Sequence, residues 1–237
     1  MKIRLVVGAL LCLFSTLSSA VYLDKMLLIS DENGNASFTV TNDKEIVYFV
    51  ETKINEILTT KEGGLTRKPY TRENLEEWTV VVSNPRFIIE PGRTKSLGIR
   101  VICGDRCSWD KDRTYEIIFV PKPYANDTES GEQSVNIFVG YAPVLIVPAK
   151  EPKVDYDIDV AGKSISIHNK GNTMLRVLID NCQGIKESSC RVFYTLIKGR
   201  KKSFDLPKDL VNKDLNITLL SHDESYQKKI VVPAKGR

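Results

Sequence analysis

The amino-acid sequence predicts an all-β protein made of two β-sandwiches in tandem. Three observations carry that expectation. Short apolar runs recur along the whole chain, each bounded by Gly, Pro, Asn or Asp, at the spacing of sandwich strands. Amphipathic helical periodicity is missing, and only RENLEEW at 72–78 reads as a short helix. The charged, proline-bearing stretch AKEPK at 149–153 reads as a linker between two halves that each carry a set of strands. A length of 237 residues suits two domains better than one, and 42% hydrophobic content supplies a core for each.

Residues 1–20 stand apart. Lys2 and Arg4 make a basic start, 5–14 an apolar run, and Ser18-Ser19-Ala20 a small-residue end, the pattern of a secretory signal peptide cleaved after Ala20. The run is too short to span a bilayer, and no later segment is long enough. A first domain is expected over 21–148. Its apolar run 24–29 ends at the turn Asp31-Glu32-Asn33-Gly34, and 36–40 alternates up to Asn42-Asp43-Lys44. A long strand follows over 46–57. Residues 59–77 are polar, hold Gly63-Gly64 and Pro69, and read as a surface insertion. Further strands are expected at 78–82, 87–89, 96–102 and 113–120, then a long polar loop over 121–133. The second domain, 154–237, repeats the grammar with strands at 154–160, 164–168, 174–179, 192–197, 202–205, 216–220 and 227–232. Its basic cluster KGRKK at 198–202 reads as a solvated turn between strands.

The first domain is organised around SVNIFVGYAPVLIVP at 134–148, uncharged and rich in Val and Ile, with strand the natural reading of its first half. Alternation puts Val135, Ile137, Val139 and Tyr141 on one face, and Asn136, Phe138 and Gly140 on the other. A strand packed on one core does not explain apolar residues on both faces. Either both faces are buried inside this protein, or one is kept for another molecule.

Composition argues against most chemistries. Of 34 basic and 30 acidic residues, Lys2 and Arg4 leave with the signal, so the mature chain is nearly balanced and has no nucleic-acid signature. Of five cysteines, Cys12 leaves too. The other four allow three connectivities. Local pairs, Cys103–Cys107 and Cys182–Cys190, are expected because each flanks turn chemistry, Gly104-Asp105-Arg106 in one and QGIKESS in the other. Neither spacing is that of a zinc site, and both histidines lie far from any cysteine cluster, so no metal or cofactor is expected. Disulfides imply an oxidising compartment. His168 closes the alternating run SISIH and reads as a strand-end histidine. Ser221, His222 and Asp223 are neighbours in sequence, whereas triad members converge from separate segments. With no GxSxG, HExxH, P-loop or GxGxxG, no catalytic residue is assigned and an enzyme is not expected.

Four runs carry a resemblance. They are FIIEPGRTKSLGIR at 87–100, YEIIFVPKP at 115–123, SVNIFVGYAPVLIVP, and ISIHNKGNTMLRVLIDNC at 165–182. Their order and spacing resemble the periplasmic chaperones of fimbrial (pilus) subunits in the chaperone–usher pathway, and more narrowly the divergent branch serving colonisation-factor and common-pilus type fimbriae. The resemblance covers essentially the whole mature chain. It implies two immunoglobulin-like domains set at an angle around a subunit-binding cleft, in the periplasm, with fimbrial subunits and an outer-membrane usher as partners. Neither nucleic acid nor membrane insertion is implied. The Cys182–Cys190 pair also resembles a disulfide of that branch.

The mechanism implied is donor-strand complementation. A subunit that lacks its last strand takes one from the chaperone, which supplies backbone hydrogen bonds and apolar side chains. Val135, Ile137, Val139 and Tyr141 would enter the subunit and Phe138 would pack inward. The free protein would be a monomer or a dimer that caps its own strand. The better-known branch grips the subunit's C-terminal carboxylate with an Arg near the start of the first strand and a Lys in the donor strand. Here the first position falls on Lys25, and the second near Pro143 or Val144, neither of which binds an anion. Lys25 and Arg100 are the anchor candidates. An Ig-like fimbrial structural subunit or adhesin is the alternative.

Overall fold

The computed structural model describes residues 21–104, 107–124, 139–182 and 188–234. The first half holds β1 (Val21–Leu23), β2 (Leu27–Ile29), β3 (Asn35–Asn42), β4 (Tyr48–Thr59), β5 (Leu65–Pro69), β6 (Val80–Val82), β7 (Arg86–Ile89), β8 (Thr94–Val101), β9 (Arg113–Pro123) and β10 (Val144–Val147). The second holds β11 (Tyr156–Ala161), β12 (Ser164–Asn169), β13 (Leu175–Asp180), β14 (Arg191–Leu196), β15 (Lys201–Asp205), β16 (Leu215–Leu220) and β17 (Gln227–Val232). Among the described residues the helices are short 3-10 turns, and the segment expected at 72–78 is one of them, Arg72–Glu77.

Two sheets make the first sandwich. One has the order β1-β3-β8-β6; the other runs β2-β10-β9-β4-β5, with β7 also pairing β4. Alternation decides which side chains meet between them. Phe38, Val40, Leu97 and Ile99 point inward from one sheet, and Val50, Ile89, Tyr115, Ile117, Phe119, Leu145 and Val147 from the other. Each such side chain contributes about 1.5–3 kcal/mol by leaving water. The apolar run expected at 24–29 is strand only over Leu27–Ile29, and Asp24, whose carboxylate accepts the Thr39 N–H at 2.9 Å, begins the link that separates it from β1. The chain therefore crosses between layers: β1 pairs antiparallel with β3, whereas β2 pairs parallel with β10.

The second sandwich stacks β11-β12-β15 on β14-β13-β16-β17. Its core is built from Ile165, Ile167, Leu175, Val177, Ile179, Leu196, Ile217 and Leu219, the inward positions of those strands. Both halves are immunoglobulin-like and use one device at a strand end. The Asn42 side-chain amide donates to the carbonyls of Ile46 and Ile89 (2.8 and 3.2 Å). In the same way Asn169 donates to those of Thr173 and Leu196 (2.8 and 3.0 Å). Both disulfides pair locally, with Cα atoms 5.4 Å apart for Cys103–Cys107 and 5.2 Å for Cys182–Cys190.

Three stretches take a more definite form than local pattern gives them. Residues 59–77, read as a surface insertion, are ordered at the sheet edge: β5 extends the sheet along β4, and Tyr70 stacks on Trp78 with ring centroids 5.2 Å apart. The Tyr70 hydroxyl also meets Thr79 Oγ1 at 2.7 Å, which in turn meets the buried Tyr115 hydroxyl at 2.7 Å. LTRKP shows no strand period and ends on a proline, so its strand conformation is imposed by the edge of β4. The cluster at 198–202 is not simply solvated, because Arg200 and Lys201 bond to Gly63 of the first half. In the organising stretch 134–148, residues 134–138 of the first half, read as strand, lie outside the described residues, and the described part holds β10.

Replacing Asn169 with Ala strands two buried carbonyls without a donor. We expect a loss of about 2–4 kcal/mol on the cost of unsatisfied buried acceptors, read from urea unfolding of the purified protein; a loss under about 1 kcal/mol would contradict the role given to this side chain.

Candidate functional site

Three places matter: the segment leading into β10, the link between β1 and β2, and the junction of the two halves. Val135 and Ile137, with Asn136 and Phe138, lie outside the described residues. Val139 stands 62% exposed. Tyr141 packs against the first core, and its backbone exchanges two hydrogen bonds with Phe119 at 2.7 and 3.0 Å. The ladder resumes when Pro143 accepts the Ile117 N–H, and β10 then pairs with Arg113–Glu116 of β9. Within β10 both faces are buried: Leu145 and Val147 belong to the core, and Ile146 is fully buried on the opposite face. For residues 144–147, two-sided apolarity thus reflects packing inside this protein. From Val120 to Pro123, β9 pairs with β4 alone among the described residues.

Lys25 is exposed in the link between β1 and β2. Its neighbour Met26 accepts the Val144 N–H at 2.9 Å, which places Lys25 beside the start of β10. Arg100 is exposed near the end of β8, level with Asn35 and Val81. Lys25 and Arg100 belong to segments on different sheets, since Arg100 lies in the sheet that lacks β10.

A third set of charges escaped sequence reasoning. Arg113 opens β9 and is directed inward at the sandwich end, its guanidinium 3.7 Å from the Glu56 carboxylate; the two side chains are 21% and 15% exposed. The Arg113 Nε is buried and has no hydrogen-bond partner among the described residues. Across the junction Lys198, in the turn between β14 and β15, feels Lys111, Asp112, Glu56 and Arg113. Burial, followed by repulsion from Lys111, pulls its ammonium below the ordinary lysine range against the attraction of Asp112 and Glu56. Asp112 itself is 1% exposed and accepts N–H groups from Ala149 and Met174 and the Thr173 hydroxyl. Burial pushes its carboxyl up despite those donors. The available signal was KGRKK, but its partners lie more than 80 residues away in sequence and no local pattern points to them.

The arrangement offers an anion two cations from opposite halves, Arg113 and Lys198. Among the described residues no group of His, Cys, Asp and Glu could hold a metal ion, and no helix is long and apolar enough to cross a membrane. His222 Nδ1 lies 3.4 Å from the Thr173 hydroxyl, and the Ser221 hydroxyl turns instead to Asp223 and Ser225.

The fold is that of the fimbrial chaperones. The structure of the class 5 fimbriae chaperone CfaA is similar with a TM-score of 0.51 and 16% identity, over 90% of this chain and 98% of that one. The E. coli chaperone DraB gives 0.54 and 16%, over 92% and 97%. A chain of the Salmonella enterica SafA pilin–SafB chaperone complex gives 0.59 and 15%, over 90% and 97%. A family model described as CS5 fimbrial protein N-terminal domain matches residues 23–148, just over half of the chain, and the chain belongs to that family. No curated protein matches the sequence.

Lys198 tests whether the junction is kept for stability. Its lowered value means that the folded state disfavours the charged form, so stability rises as pH climbs through the folded value towards 10.5. Lys198→Met should therefore leave the melting temperature near neutral pH unchanged or higher and flatten that alkaline rise. A clear drop in melting temperature at neutral pH would refute this reading.

Proposed function

We propose that this protein is a non-enzymatic periplasmic chaperone that binds and caps fimbrial subunits by donor-strand complementation and delivers them to an outer-membrane usher. The observation that carries the reading is the two-sandwich fold shared along nine-tenths of the chain with fimbrial chaperones. The exposed Val139, on a segment that reaches β10 beside a stretch of β9 that pairs with β4 alone among the described residues, supports it. The solved complexes point the same way, since one is described as a chaperone–tip adhesin complex of CFA/I fimbriae and another as SafA pilin with the SafB chaperone. Residues 1–20 would direct export, and the donor residues would be Val135, Ile137 and Val139, with Tyr141 contributing where the segment rejoins its own core.

The subunit's terminal carboxylate needs cations, and the junction supplies better ones than sequence reasoning named. Lys25 beside β10 remains a candidate. Arg113, with a guanidinium nitrogen unbonded among the described residues, and Lys198, held at a desolvation cost, are stronger than Arg100 on the other sheet. A structural subunit or adhesin would instead polymerise or aggregate once purified.

The decisive experiment is co-expression with a fimbrial subunit. Ile137→Asp combined with Val139→Asp should abolish recovery of the subunit while leaving the circular dichroism and elution volume of the protein unchanged. Full recovery with the double variant would overturn the donor-strand reading.

A further inference from the structure

Two turns that no motif singles out meet at the junction. The first half contributes residues 60–64, a turn closed by Gly63 N–H to the Thr60 carbonyl (3.0 Å) and Thr60 N–H to the Gly64 carbonyl (3.1 Å). The second half contributes 197–201, closed by Arg200 N–H to the Ile197 carbonyl (3.2 Å) and anchored where Asn169 N–H meets the Arg200 carbonyl (2.9 Å). The Gly63 carbonyl accepts both the Lys201 N–H (3.1 Å) and the Arg200 guanidinium (2.9 Å). Lys201 opens β15, an edge strand, so this donor would otherwise lack a protein partner on that side.

The fit is close at the level of backbone. A Cβ on Gly63 would lie 2.6 Å from the Lys201 nitrogen, and one on Gly199 would lie 2.6 Å from Thr59 Oγ1. Both glycines also have φ in the left-handed region, +81° and +70°. Each turn thus brings a glycine against the other half, Gly63 against Lys201 and Gly199 against the Thr59 side chain, and neither position has room for a Cβ.

Lys198 is the residue before Gly199, so the place where the turns meet fixes where its side chain enters the junction. We propose that this interlock is a positioning device: Gly63 and Gly199 set the second half at the distance that brings Lys198 to Arg113 and Glu56, completing an anion site from two halves. The inference rests on the chaperone reading above for its use, but not for its geometry. Gly63, Gly199 and Arg200 are positioning residues that touch no subunit.

The test separates the interlock from ordinary turn strain. Gly162 has a comparable φ of +57° and nothing within 4 Å of its would-be Cβ, so Gly162→Ala is a matched control. Spin labels on cysteines replacing the exposed Lys95 and Lys163 report the distance between the halves in the mature protein. Competitive acetylation across pH, read by mass spectrometry, reports the titration of Lys198. Gly63→Ala and Gly199→Ala should each widen or shift the distance distribution and return Lys198 to the ordinary lysine range, whereas Gly162→Ala should do neither. Arg200→Met, which alters no glycine, should move both readouts in the same direction even if a glycine variant fails to fold. With two hydrogen bonds lost, recovery of a co-expressed subunit should fall about tenfold in Gly63→Ala. Parental distances and parental Lys198 titration in Gly199→Ala and Arg200→Met would overturn the proposal. Shifted geometry with undiminished subunit recovery would uphold the interlock and count against the anchor role of Lys198.

Discussion

One buried carboxylate joins what the two cores would otherwise leave separate. Asp112 sits just before β9 and accepts the Ala149 N–H at 2.9 Å, the Met174 N–H at 2.7 Å and the Thr173 hydroxyl at 3.2 Å. A charge this deep would cost several kcal/mol without such donors. With them it ties the last strands of the first half to the entry of β13. Asn172 adds to the knot by donating to the carbonyls of Asp110 and Glu151, and by accepting the Lys153 N–H on its side chain. The stretch 149–153, read as a linker, is therefore pinned at both ends.

The charges around that knot follow from it. Because Asp112 and Glu56 are already engaged, the cations drawn to the junction are only partly neutralised: Arg113 meets Glu56 at 3.7 Å, and Lys198 is depressed by burial first and by Lys111 next. Partly neutralised cations in such a place are an expense that folding alone does not require. Their placement at the seam between two rigid sandwiches makes them sensitive to how those sandwiches are held.

Much of the fold was legible because sandwich strands obey a period of two. Phe38 and Val40, or Ile165 and Ile167, announce their inward face without any knowledge of partners. What could not be read was set from a distance. β5 exists because β4 offers an edge, and the chain breaks between β1 and β2 where Thr39 offers Asp24 an N–H. The candidate site shows the same division. Val139 was visible in an uncharged run, whereas Arg113, Glu56 and Lys198 are an assembly of three separate segments. The basic cluster at 198–202 looked like solvent-facing charge because its partner is a bare glycine carbonyl, which leaves no trace in side-chain chemistry.

The parallel pairing of β2 with β10 has a consequence for biogenesis. The second and last strands of the first half lie side by side, 117 residues apart at the matched pair Leu27 and Val144. Contacts of such sequence separation form late, after the entropy of closing the intervening chain has been met. A polypeptide that emerges from the ribosome N-terminus first thus cannot seal this layer until residue 147 has been made, and the nascent amino end must wait, unzipped, for a partner not yet synthesised.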